Sequence, residues 1–226
     1  MLYTTVVDIK EVIHPQQWNN LLTYIDKERR EKLNNLHFPM DKKRSLVGGV
    51  LIKNMLLEHF SIDASKLSFC RTFFGKPYLR EYDGIYYNLS HSGDFVCCSV
   101  SDTEVGIDIE EINKSVDLND FEPFFSTSEW RQVTHDSKNK HDTFFSLWTL
   151  KESYVKKIGV GLSKDFTSFS LKFKDPIELV DSEKASHQEQ FLLNTVDQKY
   201  KLAICSEQCQ NNQQKEIVLS ELFPVY

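Results

Sequence analysis

No apolar run in the 226-residue chain approaches the ~20 residues of a membrane span, which excludes a helical membrane protein. The opening, Met1-Leu2-Tyr3-Thr4-Thr5-Val6-Val7-Asp8, has no basic segment and no signal-like apolar core, so no export signal is expected. Cysteine is scarce and odd in number: Cys70, Cys97, Cys98, Cys205 and Cys209. Adjacent Cys97 and Cys98 point to opposite faces of a strand. Reduced thiols in a cytoplasmic protein are the expectation. Cys205 and Cys209 have no second Cys or His pair, which argues against zinc. Eight glycines and six prolines exclude a collagen-like or low-complexity chain. The G-x-S-x-G elbow, the G-x-x-x-x-G-K-[ST] loop and G-x-G-x-x-G are all missing. A net charge of −6 excludes general coating of nucleic acid.

What is present reads as a soluble globular chain, with 40% hydrophobic and 27% charged residues. Its length suits one large domain or two small ones. Charge is uneven. Residues 27–44 hold seven basic side chains (Lys27, Arg29, Arg30, Lys32, Lys42, Lys43, Arg44) against Glu28, Glu31 and Asp41. Residues 102–122 hold eight acids against one lysine. Two solvated faces would explain this, as would an anion site beside a metal site.

Residues 2–9 alternate as an opening strand. A helix starts at His14-Pro15, a basic helical stretch covers 26–36, and Pro39 opens a helix to Phe60. Strands are predicted at 67–74, 85–90, 94–101 and 104–110, with Asp102-Thr103 as a turn. Ser126 and Glu129 form a capping box. Helix His141–Ile158 is stopped by Gly159 and Gly161. Strands recur at 166–173, 177–180, 189–195 and 199–206, and the tail to Tyr226 adds one more. Each half runs helices first and antiparallel strands second, and closes on a similar apolar strand, 95–100 or 200–205. The expected fold is α+β, a pseudo-twofold pair of units, each with helices packed on an antiparallel sheet. The halves are 1–103 and 104–226, and the cleft between them is the natural ligand site.

Four clusters could carry chemistry. Asp108 and Glu110 share one face of a strand and repel unless a cation joins them. They are hard oxygen ligands suited to Mg²⁺, and equally fit a wet acidic strand face. Trp148, Glu152 and Lys156 share a helix stripe, where Glu152 either meets a metal or pairs with Lys156. Asn88-Leu89-Ser90-His91-Ser92 offers hydroxyls and an imidazole for phosphate, or a polar hairpin. Gly75-Lys76-Pro77 is a turn that could hold a purine.

In this order and spacing, Gly75-Lys76-Pro77, Asn88-Leu89-Ser90-His91-Ser92, Gly106-Ile107-Asp108-Ile109-Glu110, Phe124-Phe125-Ser126…Glu129 and Trp148-x-x-Lys151-Glu152-Ser153-x-x-Lys156 resemble the 4′-phosphopantetheinyl transferase superfamily. The match runs from about Lys27 to Ser163, and the doubled layout resembles the surfactin-synthetase-activating (Sfp) type. The resemblance implies transfer of the phosphopantetheine arm of coenzyme A to a serine of an apo acyl or peptidyl carrier protein, with release of adenosine 3′,5′-bisphosphate. It implies Mg²⁺, or Mn²⁺, on Asp108, Glu110 and Glu152. Glu152 would be the base, directly or through a water, and Lys156 would stabilise the leaving phosphate. Lys76 and Pro77 would flank adenine. Ser90 and His91 would reach phosphates, and Lys151 would be a phosphate contact or a support. Arg29, Lys32 and Arg44 would gather round the 3′-phosphate. Secondary metabolism such as nonribosomal peptide and antibiotic synthesis, a monomer, and a carrier surface between Asp117 and Asp142 follow from the same likeness. Phe124 and Phe125 are expected in the core. A Mg²⁺-dependent phosphohydrolase acting on coenzyme A or nucleotides, and a non-catalytic coenzyme A-binding module, remain as alternatives.

Overall fold

The computed structural model describes residues 1–63, 67–135, 137–181 and 188–223. The first half runs β1 (Leu2–Asp8), α1 (Pro15–Tyr24), α2 (Lys27–Asn35), α3 (Pro39–Phe60), β2 (Phe69–Arg71), β3 (Pro77–Leu79), β4 (Tyr86–Ser92) and β5 (Phe95–Ser101). The second runs β6 (Val105–Glu111), α4 (Thr127–His135), α5 (Lys140–Ile158), β7 (Phe169–Lys172), β8 (Glu178–Asp181), β9 (Gln190–Val196) and β10 (Tyr200–Ser206). Then come β11 (Asn212–Val218) and α6 (Leu219–Leu222). No described helix is long and apolar enough to cross a membrane.

Local chemistry sets the helix ends. Asp26 caps α2 by accepting the Arg29 N–H. Pro39 opens α3, where its missing N–H costs nothing. At α4 the capping box forms in both directions: Ser126 N donates to Glu129 Oε2 at 2.8 Å and Glu129 N to Ser126 Oγ at 3.3 Å. Gly159 ends α5 in the left-handed region, φ 73°, with its N–H on Val155 O.

The two halves repeat one plan. Strands β1-β5-β4 form a sheet in that order, and β6-β10-β9 form the matching sheet. Each half adds a long helix and a short hairpin, β2–β3 or β7–β8. The central strands β5 and β10 are buried at all seven positions. Consecutive β5 residues serve different cores: Cys98 packs against the α3 side, and Cys97 against the other sheet. A third core lies between α5 and the outer face of the second sheet. The layers are therefore helices, sheet, sheet, helix.

Two expectations change. The segment predicted as one strand at 67–74 is only three residues long. Its end turns at Thr72–Gly75, with Gly75 at φ 88°, and returns as β3. The tail does form a strand, but β11 runs parallel to β1 and joins the first sheet. Leu219 and Leu222 of α6 complete the first core. Two elements of the 104–226 half, β11 and α6, thus pack on the first half, where β11 covers the outer edge of β1. Residues 224–226 of the predicted tail lie outside the described residues.

Candidate active site

The two sheets meet along β4 and β6, and side chains do the joining. Asn88 Oδ1 accepts the Ile107 N–H at 2.9 Å, Ser90 Oγ the Ile109 N–H at 3.4 Å, and Ser92 Oγ the Glu111 N–H at 3.0 Å. Alternate residues of β4 thus satisfy alternate N–H groups of β6, replacing a backbone ladder. The same two serines touch the acidic pair. Ser90 Oγ donates to Asp108 Oδ1 at 2.8 Å, and Ser92 Oγ to Glu110 Oε2 at 3.3 Å.

Helix α5 closes over this seam. Among its last eleven residues, only Trp148, Glu152, Lys156 and Ile158 are half-open, and the first three lie four residues apart on one stripe. The helix lies directly on β6 because Gly106 has no side chain. A Cβ there would stand 2.0 Å from Ser153 O and 2.4 Å from Lys157 N, both backbone atoms. Close packing brings Lys156 Nζ to 2.6 Å from Asp108 Oδ1 and 2.9 Å from Ser90 Oγ.

The carboxylates strain against each other. Asp108 is buried, and its Oδ2 has no hydrogen-bond partner among the described residues. Burial, then repulsion from Asp108 and Glu152, pushes the Glu110 carboxyl up to about 7. Burial and Asp108 also raise Glu152. For Lys156, burial works against the ammonium, but Asp108 and Glu152 outweigh it and hold it charged. Among the described residues no three His, Cys, Asp or Glu side chains already converge on an ion position. The donors nevertheless fit a hard divalent cation: an orphaned carboxylate oxygen on Asp108, and two neighbouring carboxyls, Glu110 and Glu152, raised by burial and by the Asp108 charge.

Beside the carboxylates opens a cleft of about 620 Å³. Six Lys or Arg side chains line it against two acids, Asp41 and Glu152. Nine expected residues are there: Arg29, Lys32, Arg44, Lys76, Pro77, Ser90, His91, Glu152 and Lys156. Arg44 is fixed by Gly93 O, at 2.9 Å from Nε and 2.7 Å from Nη2, and by Asp41 at 2.9 Å. Lys76 Nζ donates to Lys157 O in the last turn of α5, satisfying a carbonyl the helix leaves open. Burial, with Arg44 and Lys156 nearby, lowers the His91 imidazole and so favours its neutral form. Gly49 lets α2 approach α3, since a Cβ there would meet Arg29 Cδ at 2.5 Å.

Lys151 is not in the cleft. It is fully buried, and its Nζ bonds both Glu129 oxygens at 2.9 and 3.0 Å and Phe169 O at 2.9 Å. Glu129 Oε1 also accepts Leu171 N at 2.9 Å. Of the two expected roles, phosphate contact or support, these contacts are of the second kind: a clamp joining α4, α5 and β7. One residue of helix is a turn of ~100°, which carries Lys151 away from the face of Glu152. Phe125 is buried as expected, but Phe124 is 44% exposed, stacked edge-on to Trp148 and Phe166. Sequence reasoning missed Arg71 and Phe74, which line the cleft from the β2–β3 hairpin.

The 4′-phosphopantetheinyl transferase N-terminal family matches residues 13–103, and the 4′-phosphopantetheinyl transferase superfamily matches residues 104–205. The 4′-phosphopantetheinyl transferase Sfp of Bacillus subtilis (strain 168) is 33% identical over 190 residues, 82% of this chain and 83% of its own. The chain belongs to the 4′-phosphopantetheinyl transferase superfamily. The 4′-phosphopantetheinyl transferase psf-1 of Bacillus pumilus is 32% identical over 211 residues, 91% of this chain and 89% of its own. The likeness reaches the L-aminoadipate-semialdehyde dehydrogenase-phosphopantetheinyl transferase of Rattus norvegicus, 31% identical over 162 residues, 66% of this chain and 52% of its own. As a phosphopantetheinyl transferase of doubled form, this chain supplies both walls of the cleft itself: α2, α3 and β4 from one half, α5 from the other.

Proposed function

We propose that this phosphopantetheinyl transferase binds coenzyme A in the 620 Å³ cleft and passes its phosphopantetheine arm to a carrier-protein serine. The observation that carries the reading is a strongly cationic cleft lined by Glu152 and by Lys156, whose Nζ bonds the buried Asp108 behind it. In the transfer, the serine Oγ–P bond forms and the bond from that phosphorus to the adenosine 5′-phosphate breaks. Glu152 takes the serine proton, and its raised carboxyl suits that task near neutral pH. Lys156, one turn on, stays charged to meet the leaving phosphate. Ser90 orients both Lys156 and Asp108. His91 and Arg44 line the same wall as phosphate donors. Asp108, Glu110 and Glu152 would hold Mg²⁺, with Mn²⁺ as a substitute. Bound there, the metal neutralises phosphate charge. One chain completes the site, so a cytoplasmic monomer serving acyl or peptidyl carriers is the form we infer.

Product counting separates this reading from hydrolysis. Incubated with coenzyme A, Mg²⁺ and an apo carrier domain, the protein is expected to release one adenosine 3′,5′-bisphosphate per carrier modified. Release of the nucleotide together with free phosphopantetheine, without a modified carrier, would assign a hydrolase instead.

A further inference from the structure

The β4–β5 hairpin turns on two residues, Gly93 and Asp94, since Ser92 pairs with Phe95. Gly93 sits at φ 49°, where a side chain is strained. It also has no room for one. A Cβ there would stand 2.3 Å from Tyr200 Oη and 2.8 Å from Glu111 Oε2. Both residues belong to the second half, paired with each other across β10 and β6. The second half of the chain therefore presses directly on a turn of the first.

Three consecutive residues of this turn reach three destinations. Ser92 Oγ accepts the Glu111 N–H at 3.0 Å and donates to Glu110. Asp94 N donates to Tyr200 Oη at 3.3 Å. Gly93 O accepts from Arg44, at 2.9 Å from Nε and 2.7 Å from Nη2, while Asp41 accepts from Nη1. Of the five N–H donors of Arg44, these bonds leave one on each terminal nitrogen. Arg44 lines the cleft, and its guanidinium is a rigid fork. The place of Gly93 O thus sets where the two remaining donors point.

Tyr200 is itself held in place. It is buried, and its ring meets that of Phe95, the residue after the turn, edge-on at 4.8 Å. The two rings open β5 and β10, the matching central strands of the two halves. We propose that Tyr200 is a positioning residue: its hydroxyl holds the Gly93 turn so that Arg44 presents its two remaining donors to the cleft. Tyr200 does not line the cleft and acts only through Gly93 and Arg44. This rests on the coenzyme A site proposed above.

Steady-state transfer to an apo peptidyl carrier domain tests it, with coenzyme A varied and Tyr200→Phe, Arg44→Ala and the double variant compared. Tyr200→Phe keeps the ring against Phe95 and removes the bond to the turn. It is expected to raise the KM for coenzyme A roughly 3–10-fold, as for one neutral hydrogen bond, with kcat changed less than about twofold. In the Arg44→Ala background the same change is expected to move KM less than about twofold, because the group it acts through is gone. An unchanged KM in Tyr200→Phe, a loss carried by kcat, or an equal rise in both backgrounds would overturn the proposal and leave Tyr200 a packing residue. If Arg44→Ala raises KM and Tyr200→Phe does not, the coenzyme A site stands without this brace. If Arg44→Ala leaves KM unchanged, both fall.

Discussion

Asp108 and Glu110 stand two residues apart on one face of β6, and their proximity has a measurable pH signature. Folded Glu110 keeps its proton to about 7, whereas the ordinary value is 4.5. The folded value lies above the unfolded one, so this proton stabilises the fold fully below pH 4.5, and the contribution is lost as pH rises through about 7. The loss is on the order of 3 kcal/mol. Thermal unfolding without divalent cations checks it: the Tm of wild type minus that of Glu110→Gln is expected to fall across that window. Added Mg²⁺ competes with the proton, so its stabilisation of the wild type grows over the same range. A Mg²⁺ effect independent of pH would contradict the assignment of Glu110 as a ligand. The stripe of Trp148, Glu152 and Lys156, and the shared face of Asp108 and Glu110, were legible in the sequence because helix and strand periods are local. Lys151 was not placed, since its partner Glu129 lies 22 residues away and reads locally as a capping residue.

At the scale of the element, α5 is the part that organises the site. It packs on β6 through Gly106, and the Glu129–Lys151 pair clamps it to α4 and β7. Both side chains are fully buried, so removing one leaves an uncompensated charge in the core. Lys151→Met is expected to cost roughly 3–5 kcal/mol in denaturant unfolding, with the KM for coenzyme A unchanged in the folded fraction. A stable Lys151→Met protein with a raised KM would return Lys151 to the ligand. Long elements were readable where caps and breakers mark them, as with Pro39, Ser126 and Gly159. Short ones were not. Arg71 is a lone basic residue on a three-residue strand, and only the hairpin turn at Gly75 brings it to the cleft. The existence of β11 could be read from its own residues, but its parallel pairing with β1 depends on an edge more than 200 residues away in sequence.

The whole molecule is two copies of one plan joined at a polar seam, and the seam is where the chemistry sits. A buried join between sheets is ordinarily a backbone ladder or an apolar face. Here Asn88, Ser90 and Ser92 satisfy β6 instead, and two of them also hold the acidic pair. The duplication was visible in the repeated order of helices and strands. The seam was not, because nothing local distinguishes a phosphate-binding serine from one that bonds a distant N–H. The central claim is that Glu152 at this seam drives transfer of the arm with a bound divalent cation. Intact mass spectrometry of an apo peptidyl carrier domain, incubated with the protein, coenzyme A and Mg²⁺, tests it most directly. The account predicts a gain of one phosphopantetheinyl group, abolished by EDTA and slowed roughly 10²–10⁴-fold in Glu152→Gln. A carrier that gains the group at the wild-type rate with Glu152→Gln, or in EDTA, would contradict it.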